Sequence, residues 1–341
     1  MSIPPLPVAP CPYRMGLMSN KDIFRGIIGH EAAKTVLTKA LDRPQHGYLL
    51  VGPDGVGCHA IAERFVRAMT DHPEDRLLSA HPDIIVLERE MTDSGKSLKK
   101  EISVKAVREL RMRISRKPSA ASRMIAYIPE ADHLNEEGVN ALLKSVEDPP
   151  AGAVFVLVAH QESRIPGTLM SRLAALRLGR VPSHEIDAWL KARGADEGDR
   201  RQAVALAEGR PGAAIRFIED PNARILAQEA DGTIVSLLRA RTAGDAIAAV
   251  AERASACDSS EDPVTEWRKT LQLWETALRR RLEDDPVRVH GIAHAFLMAE
   301  RHLSGPISPR IWIELGLVRT AAGKPPVFPG FLPAPFPYPI D

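Results

Sequence analysis

Two short stretches of the chain carry residues that could handle a nucleotide. The first is "LLVGPDGVGCHAIAERF", Leu49 to Phe65: an apolar run, a glycine-rich turn, then a helical pattern. That layout matches the phosphate-binding loop G-x-x-x-x-G-K-[ST], where backbone N–H groups and a helix N-terminus hold phosphate oxygens. Gly52 and Gly57 take the two glycine places, with Gly55 between them, but Cys58 and His59 replace the lysine and the magnesium-binding hydroxyl. A thiol carries no positive charge, and His59 carries one only at low pH. At a helix N-terminus the Cys58 thiol is expected to have a lowered pKa, which would add negative charge instead. The glycines are therefore expected to close a strand onto a helix. They cradle an anion weakly at best and are badly placed to bind or cut ATP.

The second stretch is "RMIAYIPEADHLN", Arg123 to Asn135. ATPases with such a loop end a later apolar strand in an aspartate that orders magnesium, and often in a glutamate that positions water. Here the first place is Pro129, which offers no ligand, and the second is Glu130. Two independent losses point to a nucleotide-binding fold that does not hydrolyse nucleotide. Glu130, Asp132 and His133 resemble a catalytic cluster, but Asp132 or Asn135 is better explained as the cap of the helix that follows.

Alternating elements must position these stretches. "GYLLVG", "HPDIIVLE", "RMIAYIPEA" and "AVFVLVAH" are short, apolar and rich in β-formers, and so predict buried strands. Helical spacing predicts helices over Glu31–Leu41, Ala60–Met69, Val104–Ser115 and Glu136–Val146. The alternation implies a parallel sheet covered on both faces, an α/β class. After Pro182 the strand signals stop and helical periodicity continues to about Ala322. The expected division is a flexible arm over 1–20, an α/β domain over 21–181, a small helical lid over 182–221 and a larger helical domain over 222–322. A Pro-rich tail follows over 323–341, because proline cannot continue a helix.

Composition sets broad limits. The chain has 341 residues, 44% hydrophobic and 26% charged, with a net charge of +1. That balance argues against a whole-chain electrostatic grip on nucleic acid. The run from Lys96 to Lys117 is basic and is read as a solvated helix face, with contact to phosphates or an acidic partner as the alternative. Cys11, Cys58 and Cys257 lie far apart, so neither a zinc site nor a disulfide framework is expected, and a reducing, cytoplasmic setting fits. Prolines stand where a signal peptide needs an apolar run, and no stretch reaches a membrane-spanning length.

Four segments in order, "IIGHEAAKTVLTKAL", "HGYLLVGPDGVG", "EADHLNEEGVNALLKSVEDPP" and "GTLMSRLAALRL", resemble the clamp-loader branch of the AAA+ family. The likeness is greatest to the delta-prime subunits of bacterial DNA polymerase III. The most specific piece is "NALLKSVEDPP", Asn140 to Pro150. The resemblance is strong from about Gly26 to Leu178 and extends beyond that only in order and length. It implies an AAA+ α/β domain, a helical lid and a helical collar, in a ring that opens a sliding clamp and closes it on primed DNA. The implied partners are the gamma or tau motor subunits and the delta subunit, with the clamp and DNA met through the complex.

A delta-prime member typically does not hydrolyse ATP and needs no cofactor of its own. It lends an arginine from a Ser-Arg-Cys motif to the neighbour's ATP site, matched here by Ser171, Arg172 and Leu173. A planar, permanently charged fork suits that task. The chain departs from the family at Leu173, which replaces the motif's cysteine. It also lacks the zinc-binding cysteines of many relatives, so no metal is expected. Gly212 stands where a motor subunit would present an ATP-sensing arginine, with Arg210 nearby, and His160 stands at a sensor position or simply ends its strand. The alternatives are an active ATPase of the same fold, such as a motor subunit, a nucleotide kinase, and a DNA-binding protein outside any ring. Cys58 and Pro129 count against the first two, and the balanced charge counts against the last.

Overall fold

β1 (Gly47–Val51) holds no charged residue, and all five of its positions are buried. Only a strand covered on both faces reads this way, because side chains alternate between the faces. Four parallel partners complete the sheet: β2 (Ile84–Val86), β3 (Met124–Ile128), β4 (Ala153–Ala159) and β5 (Ala174–Arg177), in the order β2-β3-β4-β1-β5. The computed structural model describes residues 23–92, 99–283, 285–303, 305 and 307–322. The Pro-rich arm and tail, Cys11 and the start of the basic run lie outside the described residues.

The alternation along each strand builds two cores. Leu49, Phe155, Leu157 and Ile128 face Val107 and Leu110 of α3 (Val104–Ile114) and Leu142 and Val146 of α4 (Glu136–Glu147). Tyr48, Leu50, Val156 and Tyr127 face Leu37 of α1 (Glu31–Asp42) and Ile61 and Phe65 of α2 (Cys58–Thr70). Each fully buried Leu, Val or Phe contributes about 1.5–3 kcal/mol of transfer free energy.

All four expected strands and all four expected helices of this part are present. The sequence reading passed over β5. It is a four-residue strand at the sheet edge, half-exposed along most of its length, so no continuous apolar run announces it.

Contacts divide the chain into two compact units, the first ending at Val181 and the second made mainly of the chain from Pro182. The described part of the second contains only helices: α6 (Ser183–Ala192), α7 (Glu197–Ala207), α8 (Pro211–Glu219), α9 (Pro221–Arg239), α10 (Ala243–Asp258), α11 (Pro263–Arg279), α12 (Pro286–Arg301) and α13 (Pro309–Ala321). Five of these open on proline. Its missing N–H costs nothing at the first helical position and its fixed φ suits the turn. Asp220, Asp262, Asp285 and Ser308 cap the starts of α9, α11, α12 and α13 through their side chains. Trp267, Trp274 and Phe296 fill the core of this unit, with Trp274 stacked on Phe296 at 5.4 Å between ring centroids.

Candidate functional site

β1 lies between β4 and β5, so the chain order reverses beside it. In open α/β sheets ligands bind outside the carboxyl ends of the strands at such a point. The glycine loop, Pro129 and His160 all follow carboxyl ends there.

The loop keeps the shape of a phosphate cradle for reasons of packing. A Cβ on Gly52 would lie 2.4 Å from the Leu178 carbonyl oxygen, so only glycine lets β1 pass this close to the chain leaving β5. Gly57 caps α2 with φ 119°, a left-handed value that a side chain would strain.

Cys58 turns inward, 2% exposed, its thiol 3.9 Å from the Gly52 carbonyl. Burial pushes its pKa up to about 12. This corrects the expectation of an acidified thiol. The helix N-terminus favours the thiolate, but removing the sulfur from water outweighs that in an apolar pocket. Cys58 is an inert packing residue, not a negative charge in the cradle.

His59, in the place of the magnesium ligand, reaches across to β4. Its Nε2 lies 3.0 Å from His160 Nε2, and its Nδ1 lies 3.4 Å from the Tyr127 hydroxyl. His160 Nδ1 lies 3.2 Å from the Gly52 carbonyl oxygen. That oxygen can only accept, so His160 Nδ1 carries a proton, and in the neutral ring its Nε2 is bare. His59 Nε2 then donates to His160, and His59 Nδ1 accepts from Tyr127. With both imidazoles neutral, every bond in this chain has one donor and one acceptor. Burial, and after it the neighbouring His160, push the His59 pKa below its usual value. So His160 does more than end a strand: with His59 it fastens the loop to the sheet, where a nucleotide's phosphates and magnesium would otherwise be held.

The acidic stretch is likewise engaged. Glu130 accepts from Arg89 through both oxygens, at 2.8 and 2.7 Å, and these hydrogen bonds hold its carboxyl below the usual range. Asp132, buried, accepts from the N–H groups of His160 and Gln161. Its other oxygen has no hydrogen-bond partner. The helix cap is Asn135, which accepts from the Gly138 N–H at 2.7 Å. His133 Nδ1 lies 3.0 Å from the Lys100 carbonyl oxygen. The apparent catalytic cluster is therefore an ion pair at Glu130 and two backbone anchors at Asp132 and His133. Among the described residues no group of three His, Cys, Asp or Glu is placed to hold a metal ion.

Arg172 lies on the other side of β1. It follows the four-residue helix α5 (Gly167–Met170) and Ser171, just before β5. Its Nη1 donates to the Thr168 carbonyl at 2.8 Å and to the Ser171 hydroxyl at 3.3 Å. Its Nη2 pairs with Glu147 at 2.8 Å. His46 Nε2, just before β1, lies 2.8 Å from the Arg172 carbonyl oxygen. Leu173, in the place of the motif's cysteine, is buried in the core beneath. Arg172 and Ser171 thus sit apart from the cradle of Gly52, Gly55 and Gly57, on the surface. The sequence held no signal for the pairings with Glu147 and His46.

In the basic run, Val107, Leu110 and Ile114 face the core while Lys105, Arg108 and Arg113 are exposed, the layout of a solvated face. In the second unit Gly212 is an interior residue of the first turn of α8, and Arg210 Nε donates to the Ala207 carbonyl at 3.1 Å.

Residues 29–182 match a family model described as "DNA polymerase III, delta subunit". The chain is 34% identical over 140 residues to DNA polymerase III subunit delta' of Pseudomonas aeruginosa, covering 37% of this chain and 41% of that protein. It is 30% identical over 143 residues to the Escherichia coli subunit delta', covering 42% and 41%. The tau subunit of Bacillus subtilis is 27% identical over 178 residues, covering 48% and 30%. The matches thus span less than half the length of these curated relatives. Among solved structures, a gamma subunit-related protein of Thermotoga maritima superposes with a TM-score of 0.51 at 14% identity, covering 86% of this chain and 98% of that one. That likeness speaks for the fold alone, a parallel α/β sheet followed by helices. Residues 29–182, where the degenerate cradle, the tied acidic stretch and Arg172 all lie, are thus similar in sequence to the delta' subunits of DNA polymerase III.

Proposed function

We propose that this chain is a clamp-loader subunit that does not hydrolyse ATP and lends Arg172 to the ATP site of a neighbouring motor subunit. The observation that carries the first half is the state of the cradle. Every position that would touch phosphate or magnesium is either apolar or engaged within the chain. Cys58 is buried, His59 is bonded to His160, Pro129 has no ligand atom and Glu130 is tied to Arg89. A fold stripped of its chemistry serves by its shape.

The second half rests on Arg172. Its side chain is 39% exposed and carries a permanent charge on the molecular surface. Its three placed hydrogen-bonding contacts leave further N–H groups to meet phosphate oxygens. Ser171 contributes by donating to the Thr168 carbonyl at 3.1 Å and accepting from Arg172 Nη1, which orders the turn that presents the arginine.

The partners that fit this reading are gamma or tau motor subunits and a delta subunit, with the sliding clamp and primed DNA met through the assembly. In the helical unit, α6 to α8 make up a lid and α9 to α13 a collar, the division falling at Asp220. The collar assignment is supported by α13. Ile311, Leu315 and Val318 are exposed at intervals of four and three residues, an apolar seam suited to another helix.

The test is the ATPase of the reconstituted assembly. Arg172→Ala leaves the complex intact on gel filtration and lowers its DNA-stimulated ATPase by about 10³-fold, the low end for an arginine supplied in trans. Arg172→Lys does not restore it, because an ammonium lacks the fork. Equal turnover by the alanine variant overturns the trans role.

A further inference from the structure

Glu147 is the last residue of α4 and sits 2.8 Å from Arg172. Helix physics disfavours a carboxylate there, since the C-terminal end of a helix carries partial negative charge and prefers cations. It is also a costly neighbour for an arginine meant to meet phosphate. A carboxylate in contact cancels most of the charge that the phosphate would feel, and it repels the phosphate itself. Fold stability does not require the pair, because both side chains are well exposed, at 39% and 48%, and such pairs contribute little. Arg172 is already held without it, by the Thr168 carbonyl, the Ser171 hydroxyl and, through its backbone, His46.

We propose that Glu147 is a resident competitor for Arg172. It occupies the guanidinium while the subunit faces no nucleotide and gives it up when a neighbour presents phosphate oxygens. The exchange is feasible because the pair is weak and open to solvent, so a doubly charged terminal phosphate displaces a single carboxylate. Glu147 is thus a tuning residue: it acts through Arg172 and touches no reacting atom. Its effect is to make the trans arginine conditional on an occupied neighbouring site. This inference rests on the trans-arginine reading above.

The experiment compares four reconstituted assemblies: unaltered, Glu147→Gln, Arg172→Ala and the double variant. Glutamine keeps the size and removes the charge. The expected result is a rise of about two- to fivefold in kcat/KM for ATP with Glu147→Gln, the range an exposed ion pair represents. The gain shrinks as salt screens the pair. It vanishes in the double variant, which behaves as Arg172→Ala alone. A merely structural role gives an unchanged or lowered kcat/KM, and either result overturns the proposal while leaving the trans arginine standing. If Arg172→Ala itself has no effect, the trans reading fails and this inference fails with it. Glu147→Asp, which keeps the charge on a shorter stem, serves as the second variant and gives a smaller gain than glutamine.

Discussion

Single residues in this protein are governed by burial more than by the motif they sit in. Cys58 is the clearest case: the loop pattern and the helix N-terminus both suggested an acidified thiol, yet its side chain faces the core and its pKa rises to about 12. Asp83 shows the opposite balance. It is 2% exposed, and burial alone would raise its pKa. The backbone N–H groups of Ser119, Ala120 and Ala121 and the Ser119 hydroxyl donate to it at 2.6 to 3.0 Å and hold it at about 2. A lowered carboxyl pKa means stability that is fully present above the unfolded value near pH 4 and lost as pH falls toward 2. Asp83→Asn is therefore expected to cost about 2 kcal/mol at pH 7. Thermal melts should show the gap between the two proteins closing below pH 4; a gap that stays constant across that range would show that ionisation is not what anchors the loop.

Elements were legible wherever both faces are buried or a helix carries its own stop and start signals. β1, β3 and β4 are continuous apolar runs, and α4 begins at an Asn cap that the sequence displayed. β5 was not legible, because a short edge strand half-open to water needs no apolar run and leaves no pattern. Contacts between elements were beyond reach. His59 and His160 stand 101 residues apart in sequence, and Arg172 meets His46 across 126. Local periodicity says nothing about such pairs; only the strand order brings them together. The same order explains Gly52, which the motif assigned to phosphate and the structure assigns to the passage of β1 beside Leu178. Gly52→Ala is accordingly expected to destabilise the fold by about 2 kcal/mol, since the oxygen in its way belongs to the backbone and cannot rotate aside. Denaturant melts report this directly, and an unchanged midpoint would mean that the strand has room to shift.

At the scale of the whole molecule, the sequence disclosed the α/β part and its likeness to known proteins far better than the helical part. The family match ends at residue 182, where the helices begin. Helical repeats of Ala, Leu and Val fit many arrangements, whereas a glycine loop, a Pro-Glu strand end and "NALLKSVEDPP" fit few. Among the described residues no helix is long and apolar enough to cross a membrane. What unites the molecule's features is substitution of internal bonds for ligand bonds: the two histidines, the Arg89–Glu130 pair and the buried thiol each occupy a place where nucleotide chemistry would need a free group. The most direct test is a calorimetric titration of the purified chain with ATP and magnesium. The account predicts no heat of binding at millimolar nucleotide. Tight, magnesium-dependent binding would contradict it, because the histidine pair would then have to open for phosphate, and the chain would have to be regarded as an active member of its fold.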